Sequence, residues 1–322
     1  MDLLVITVVD EQMHPPADQR SWQESYYFNW ADVDGRSFGL TRIGVNPADG
    51  KADALLILVR DGQLEYVYPG VGIAVTAEDR SVPVERGLAV GRLSYTMREP
   101  FQRWRIELTG PTEVALTWTA AGPPHDFTEL RDATDGAHHF EQVGTVEGTI
   151  GIGGQTRRVE ALGHRDKSWG VRDWASITGW EWLTAQFGPD FAFNATLALL
   201  ASSDEPAGFV FRDGENRAVT AIDVDYTWGR VPQVPESARI FMRDETGATY
   251  EITATAIAQV PLVKKGLFLQ ETHARFETVL DGVPRRGHGV LEHAWHADRR
   301  QIARRIPDLA RVVGAGLKGR LR

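Results

Sequence analysis

One twelve-residue segment, residues 163–174, holds most of the side chains in this sequence that could do chemistry. It reads Gly-His-Arg-Asp-Lys-Ser-Trp-Gly-Val-Arg-Asp-Trp, so an imidazole, three cations, two carboxylates and two indoles lie close together along the chain. Buried charge costs several kcal/mol unless it is paired. The segment is therefore a solvated loop, an internal ion-pair network or the polar wall of a binding site.

Three residues of this segment are candidate catalytic groups: His164, Asp166 and Lys167. An imidazole changes charge in the physiological pH range, so His164 is the predicted proton carrier. Lysine ordinarily holds its proton to a pH of about 10.4, and a neighbouring carboxylate favours the charged form. We expect Asp166 to hold Lys167 in an ion pair, where the lysine has an orienting role. Residues at odd spacing face opposite sides of a strand, so His164 and Lys167 share a face only where a bulge intervenes.

Tryptophans provide the candidate apolar wall. In the run Trp-Glu-Trp at 180–182 the side chains alternate, which puts the indoles of Trp180 and Trp182 on one face. Trp169 is predicted to line the same pocket. Arg172 is a candidate contact to a ligand, or else pairs with its neighbour Asp173.

A metal site is not expected. His288 and His293 are five residues apart, a spacing that suits neither one face of a strand nor one face of a helix. Zinc sites need three or four converging ligands, and the chain has no cysteine. No phosphate-binding loop or nucleophile elbow is found either. The chemistry is therefore predicted to need no cofactor.

The elements that must position these residues are strands. Short segments rich in Val, Ile, Thr, Phe, Tyr and Trp are separated by Asp-Gly and Gly-Gly turns. Clear strands are expected at 53–60, 63–68, 103–109, 113–119, 191–200 and 247–258.

Hydrophobic content of 42% and charged content of 25% are ordinary for a globular protein. The amino terminus lacks the basic and small-residue pattern of a signal peptide, so a cytoplasmic location is expected.

The two halves of the chain resemble each other. Residues 26–63 and 180–215 both run from an aromatic strand, through a turn, to a strand that ends in Arg-Asp-Gly. Gly-Gln-Thr-Arg-Arg at 154–158 is echoed by Gly-Val-Pro-Arg-Arg at 282–286. An antiparallel sheet curled into a barrel best removes exposed edges. We therefore predict two β-domains, at 1–175 and 176–298, followed by a helix at 299–322.

Residues 163–170, with their Gly-x-x-Asp-x-Ser-Trp-Gly pattern, and the two β-rich halves resemble the carotenoid 1,2-hydratase (hydroxyneurosporene synthase) superfamily. Its relatives include Diels–Alderase-type cyclases, kievitone hydratase and many bacterial members. The resemblance implies an all-β fold of two tandem lipocalin-like antiparallel barrels, with an apolar pocket near their junction. Those hydratases look like Asp-His-x-Trp-Gly here, with the histidine handling the proton. In this chain Lys167 takes that place, which puts water addition by the family mechanism in doubt.

The carboxyl-terminal segment is basic and periodic. Its eight Lys and Arg against one Asp give +7 for residues 299–322, so the remainder of a chain with net −9 carries −16. Such an acidic body argues against nucleic acid as a partner. A helical row runs along this segment through Ile302, Ile306, Leu309, Val313 and Leu317. The helix either docks on the barrel, which the pattern favours, or makes peripheral contact with an anionic membrane.

These observations favour an enzyme of the hydratase, lyase or cyclase type acting on a hydrophobic isoprenoid-like or polycyclic small molecule. His164, Asp166 and Lys167 would supply the polar groups, and Tyr27 and Asn29 would contribute from the first half at the junction of the two domains. The alternative is a carrier of lipophilic molecules, since lipocalin-like barrels bind ligands without any catalytic group. The substrate and the oligomeric state stay open.

Overall fold

The structure, a computed structural model, describes residues 6–16, 20–127, 137–171, 178–199, 204–231, 233–264 and 266–321. The first of two antiparallel sheets contains eleven strands. They are β1 (Trp22–Asp32), β2 (Ser37–Asn46), β3 (Lys51–Arg60), β4 (Gln63–Ala74), β5 (Leu88–Val90), β6 (Leu93–Glu99), β7 (Arg103–Leu108), β8 (Glu113–Ala120), β9 (His125–Asp126), β10 (His138–Ile152) and β11 (Gln155–Val171). A short helix, α1 (Ala77–Ser81), follows β4.

This first sheet curls into a nearly closed barrel. Its strand order is β4-β3-β2-β1-β11-β10-β8-β7-β6-β5, with β9 beside β10. Alternate residues of each strand point inward, as Trp104, Ile106 and Leu108 do on β7, and these side chains form one buried core.

The second sheet is a closed eight-stranded barrel. Its strands are β12 (Gly179–Gln186), β13 (Phe191–Leu199), β14 (Asp204–Arg212), β15 (Glu215–Trp228), β16 (Pro235–Asp244), β17 (Thr249–Lys264), β18 (Leu267–Leu280) and β19 (Val283–Trp295). The long helix α2 (Arg299–Leu321) follows. The predicted architecture, two antiparallel barrels and a carboxyl-terminal helix, is confirmed.

The repeated sequence motifs lie at corresponding places in the two strand orders. The turn at Asp61-Gly62 joins the third and fourth strands of the first sheet, and the turn at Asp213-Gly214 joins the third and fourth strands of the barrel. Both aspartates and both glycines have positive φ, which Asp and Gly tolerate best. The two Arg-Arg echoes lie in β11 and β19, the last strand of each sheet, which pairs with the first strand.

Helix α2 packs against β4 and β17, but not through the predicted apolar row. Its buried side contains Arg305, Val312, Gly316 and Gly319. A Cβ at Gly319 would lie 2.0 Å from the carbonyl oxygen of Val67, so the missing side chain is what permits this close approach. Ile302, Ile306, Val313 and Leu317 are exposed. The favoured interpretation, docking through that row, is therefore wrong in its choice of face.

Among the described residues, neither helix combines the length and the apolar content needed to cross a membrane.

Candidate functional site

The two faces of β11 look into different parts of the molecule. Side chains alternate along the strand, so His164 and Asp166 point out of the first sheet, while Arg165 and Lys167 point into its interior. His164 reaches Thr184 of β12. Lys167 Nζ lies 4.4 Å from the ring centroid of Tyr26, inside the first sheet. His164 and Lys167 therefore lie on opposite faces, as their spacing predicts for a regular strand.

The outward face of β10, β11 and β1 packs against the barrel and forms a buried interface, here called the interdomain layer. Its titratable and aromatic members include Tyr27, His139, Glu141, His164, Asp166, Trp180, Trp182, Glu271 and Glu292. The apolar remainder, including Leu40, Ile57 and Val290, keeps water from the contact.

His164 and Glu141 form a hydrogen-bonded pair at the centre of the layer. His164 Nε2 lies 2.5 Å from Glu141 Oε2, and Nδ1 lies 3.2 Å from Thr184 Oγ1. Thr184 donates its hydroxyl proton to the carbonyl of Phe193, so its oxygen accepts from the imidazole. Both ring nitrogens thus face acceptors. The arrangement is complementary to the form of His164 that has accepted a proton.

Glu141 is held ionised. Burial alone would raise the pKa of its carboxyl, but the charge of His164 and hydrogen bonds from His139 and His164 lower that pKa to about 2. Trp182 Nε1 also donates to Glu141 Oε1 at 2.7 Å. A carboxylate with these donors stabilises an imidazolium beside it.

A second carboxyl system, Glu271 with Glu292, lies in the same layer and has the opposite character. Both side chains are buried and hydrogen-bond to each other. Burial and the charge of Glu292 raise the pKa of Glu271 well above its ordinary value, and burial also raises the pKa of Glu292. Two carboxyls in contact share a proton because like charges cannot both ionise there. Trp180 Nε1 donates to Glu292 Oε1.

Tyr27 and Asn29 lie where the sequence places them, on the outward face of β1. Asn29 donates to the Tyr27 hydroxyl at 3.3 Å. The Tyr27 ring meets Trp182 edge-on at 5.7 Å. Burial and the charge of Glu271 raise the pKa of Tyr27, so its hydroxyl stays protonated. Tyr27 therefore lies close to both carboxyl systems.

Trp180 and Trp182 both face this layer, and the intervening Glu181 points into the barrel. Glu181 accepts a hydrogen bond from Tyr226 at 2.9 Å and lies 3.6 Å from His293. The side chains of residues 180–182 thus alternate as their spacing predicts.

Trp169 does not join these two indoles. It has the same parity along β11 as Lys167 and therefore faces the interior of the first sheet. There it is stacked between His14 and His138, with ring centroids 4.3 and 5.0 Å away. The expected grouping of Trp169 with Trp180 and Trp182 is not observed.

Lys167 does not pair with Asp166. Its partner is Glu24 of β1, and both side chains are fully buried. Burial lowers the pKa of Lys167, and the Glu24 carboxylate opposes that shift. Asp166 lies on the other face, 3.6 Å from His139. Alternation along the strand separates the two neighbours that the sequence brings together.

Arg172 and Asp173 lie outside the described residues. The histidines considered for a metal site are spread over both faces of β19: His288 lies near His273, whereas His293 points toward Glu181. Within the described ranges no three histidine, aspartate or glutamate side chains are arranged to hold a metal ion.

Sequence reasoning missed Glu141 and Glu271, the two carboxyls with the most strongly altered environments. Neither belongs to a recognisable motif. The available signal is a lone glutamate in an otherwise buried strand, as in Leu-Phe-Leu-Gln-Glu-Thr at 267–272, because an unpaired carboxylate is rarely buried.

Three solved structures share this architecture at low sequence identity. Kievitone hydratase from Nectria haematococca is 12% identical with a TM-score of 0.63, over 92% of this chain and 94% of that one. CghA, solved with Sch210972, is 14% identical with a TM-score of 0.64, over 87% and 89%. A protein assigned as an AttH from Nitrosomonas europaea is 15% identical with a TM-score of 0.61, over 88% and 95%. At such identities the likeness shows a shared fold.

A search of curated proteins by sequence finds no match. A family model described as a domain of unknown function, DUF7064, matches residues 7–297, which include both sheets and the whole interdomain layer. The chain belongs to the DUF7064 family.

Proposed function

We propose that this protein is a cofactor-independent enzyme of the hydratase, lyase or cyclase type, which acts on a hydrophobic small molecule between its two β-domains. One observation carries the proposal: the interdomain layer holds two buried carboxyl systems in contrasting environments. The partners of Glu141 lower its pKa to about 2, while burial raises the pKa values of Glu271 and Glu292. Pairs of titratable groups whose environments drive their pKa values apart are typical of acid–base sites.

Each system suits one half of a proton-transfer reaction. Hydration, its reverse and proton-initiated cyclisation all need a group that gives a proton to the substrate and a group that takes one from the substrate or from water. The Glu271–Glu292 pair is the donor, since burial and mutual repulsion raise its pKa values and favour the protonated form. His164 is the acceptor, because Glu141 and Thr184 stabilise its protonated form.

The aromatic residues of the layer suit an apolar substrate. Trp180, Trp182 and Tyr27 offer ring surfaces beside both carboxyl systems. A ring face stabilises a desolvated carbocation by about 1–2 kcal/mol. An isoprenoid-like or polycyclic substrate that develops positive charge on carbon would benefit from that environment.

The fold supports a place near the carotenoid 1,2-hydratase superfamily. Kievitone hydratase has the same architecture over nearly the whole chain. In this chain Lys167 occupies the place of the histidine in the Asp-His-x-Trp-Gly pattern of those hydratases. This difference is compatible with the proposed function, because proton transfer is assigned to His164 and the carboxyl pair and not to the lysine.

The first experiment identifies the ligand. Native mass spectrometry of protein purified from its own host would reveal a co-purifying hydrophobic molecule. Related molecules with one more or one fewer water, or with a new ring, are then assayed as substrates by product analysis.

Two isosteric variants then test the chemistry. Glu271→Gln and Glu141→Gln should each lower turnover about a hundredfold, the usual scale of general acid–base catalysis. Glu160→Gln is the matched control, because Glu160 lies on β11 but is exposed. A protein that binds the molecule with unchanged affinity in both variants and never converts it is a carrier, and the proposal fails.

A further inference from the structure

The outward surface of α2 carries an apolar row with no partner in the described part of the chain. Ile302, Ile306, Val313 and Leu317 are between 43% and 60% exposed. Their spacing places them along one side of the helix. Monomeric proteins rarely leave such a contiguous row in water unless it has a binding role.

Incomplete docking of the helix does not explain this row. Arg305 lies against the barrel and donates to Gln270, while Gly316 and Gly319 press on Pro69 and Val67 of β4. The docked side is thus a distinct and well-packed face, and the apolar row is an additional surface.

Cations accompany the apolar row on the same helix. Arg299, Arg300, Arg304, Arg311 and Lys318 are all exposed. Residues 299–322 carry +7, whereas the remainder of the chain carries −16. Positive charge and exposed apolar side chains are therefore concentrated in one element of an otherwise acidic molecule.

The end of the barrel where α2 begins also carries exposed apolar side chains. Val263 is 59% exposed and lies in register with Phe268 and Trp295, the last residue of β19. Trp228, at the end of β15, is 42% exposed. Its ring centroid lies 5.3 Å from that of His293, which belongs to β19 like Trp295. Exposed tryptophan is typical of surfaces that lie in the membrane interface.

We propose that α2 and this end of the barrel dock on an anionic lipid bilayer, with the apolar row among the acyl chains and the cations at the headgroups. Helices with an apolar side and a polar side rich in Lys and Arg bind membranes in this way. A symmetric dimer through the same row would bring two helices of +7 together, which charge repulsion opposes. Nucleic acid would leave the apolar row uncovered.

Vesicle sedimentation of the full chain tests the proposal. The probes are vesicles of phosphatidylcholine with about 30% phosphatidylglycerol and vesicles of phosphatidylcholine alone, since anionic lipid should supply much of the binding. Wild-type protein should sediment with the anionic vesicles and much less with the neutral ones. Binding should fall as NaCl rises from about 50 to about 500 mM, because salt screens the headgroup attraction.

Two sets of variants separate the apolar and charged contributions. Ile306→Ser with Val313→Ser should weaken binding about tenfold or more. Arg300→Gln with Arg304→Gln and Lys318→Gln should weaken it on the order of a hundredfold. Each set has a matched control among exposed residues: Val279→Ser with Val283→Ser at the other end of the barrel, and Arg86→Gln with Arg98→Gln and Arg103→Gln on the first sheet. The controls should bind like wild type.

Three results would overturn the proposal. One is wild-type protein that ignores anionic vesicles at low salt. Another is equal binding by all variants and controls. The third is a wild-type dimer in light scattering that the Ile306→Ser and Val313→Ser changes convert to a monomer, which would assign the row to a second copy of the chain. None of these results depends on the proposed catalytic activity.

Discussion

The inner and outer faces of β11 use charge in opposite ways. On the inner face, Arg165 makes two hydrogen bonds to Glu11, at 2.8 and 2.7 Å, and Lys167 pairs with Glu24. On the outer face, His164 meets Glu141, and burial raises the pKa values of the nearby Glu271 and Glu292, which contact each other.

Under the proposed function, this difference separates charges that hold the fold from groups that take part in the reaction. Each inner cation is paired with a carboxylate and packs against aromatic rings. The Cζ atom of Arg165 lies 5.1 Å from the ring centroids of both Trp118 and Phe140. Removing either partner leaves a buried charge, so these pairs are suited to a structural role. The outer groups are an imidazole and a pair of carboxyls, and these side chains can each give or accept a proton.

The largest expected effect is on the inner face. Lys167→Met should lower the free energy of unfolding by about 3–5 kcal/mol, because it leaves Glu24 ionised and buried. Lys167, with His14, lowers the pKa of Glu24 despite its burial, which shows how much that carboxylate depends on its partners. Urea unfolding measures the loss. Adding Glu24→Gln should restore most of the stability, and a single variant as stable as wild type would contradict a structural role.

On the outer face the expected loss is in turnover. His164→Gln should lower turnover about a hundredfold. Lys167→Arg should change turnover little, because the positive charge beside Glu24 is kept. Steady-state kinetics on the identified substrate decide the matter. Full activity in His164→Gln combined with loss of activity in Lys167→Arg would contradict this assignment. It would place proton transfer on the inner face, at Lys167, and not on the outer face.

A smaller effect is expected where Trp182 supports Glu141. Trp182→Phe keeps the ring but removes the donor at 2.7 Å from Glu141. Hydrogen bonds to charged groups contribute about 1.5–3 kcal/mol. A double-mutant cycle with Glu141→Gln, measured by thermal unfolding, should give a coupling energy in that range. Simple additivity of the two changes would show that the bond contributes nothing.

The smallest expected effect depends on pH. The folded Glu271–Glu292 pair keeps a proton that the unfolded chain releases near its ordinary pKa of 4.5. The stability it provides is therefore fully present below about pH 4.5 and falls as the pH rises toward the higher folded pKa. Glu271→Gln removes this dependence. It should raise the Tm at pH 8 by about 2–4 °C, the scale of 1 kcal/mol in a domain of this size, with little change at pH 4. An equal shift at both pH values would mean that the pair shares no proton.

Local sequence patterns predicted much of the fold. The expected strands at 103–109 and 113–119 correspond to β7 and β8, within one residue at each end. The Arg-Asp-Gly turns and the Arg-Arg echoes correctly indicated a repeated strand order. Alternation also placed Trp180 and Trp182 on one face, because the side-chain period of a strand holds wherever the strand is regular.

The partners of each side chain were decided by the tertiary structure. The sequence predicts that Lys167 pairs with its neighbour Asp166, but its partner is Glu24, which lies 143 residues away along the chain. Glu141 lies in an unremarkable strand and meets His164 only because β10 and β11 are paired. The apolar residues of α2 do lie along one side of the helix, but that side does not contact the barrel. A different side, which contains Gly316 and Gly319, approaches β4 because glycine has no side chain.

The sequence by itself determined the class of fold, the repeat and the identity of the side chains on each face, because these depend on period and turn chemistry. Only the tertiary structure decided which carboxylates meet which cations and which carboxyls share a proton. Those outcomes depend on burial and on distances between strands far apart in sequence, and in a desolvated interface these two factors determine the protonation state of each group.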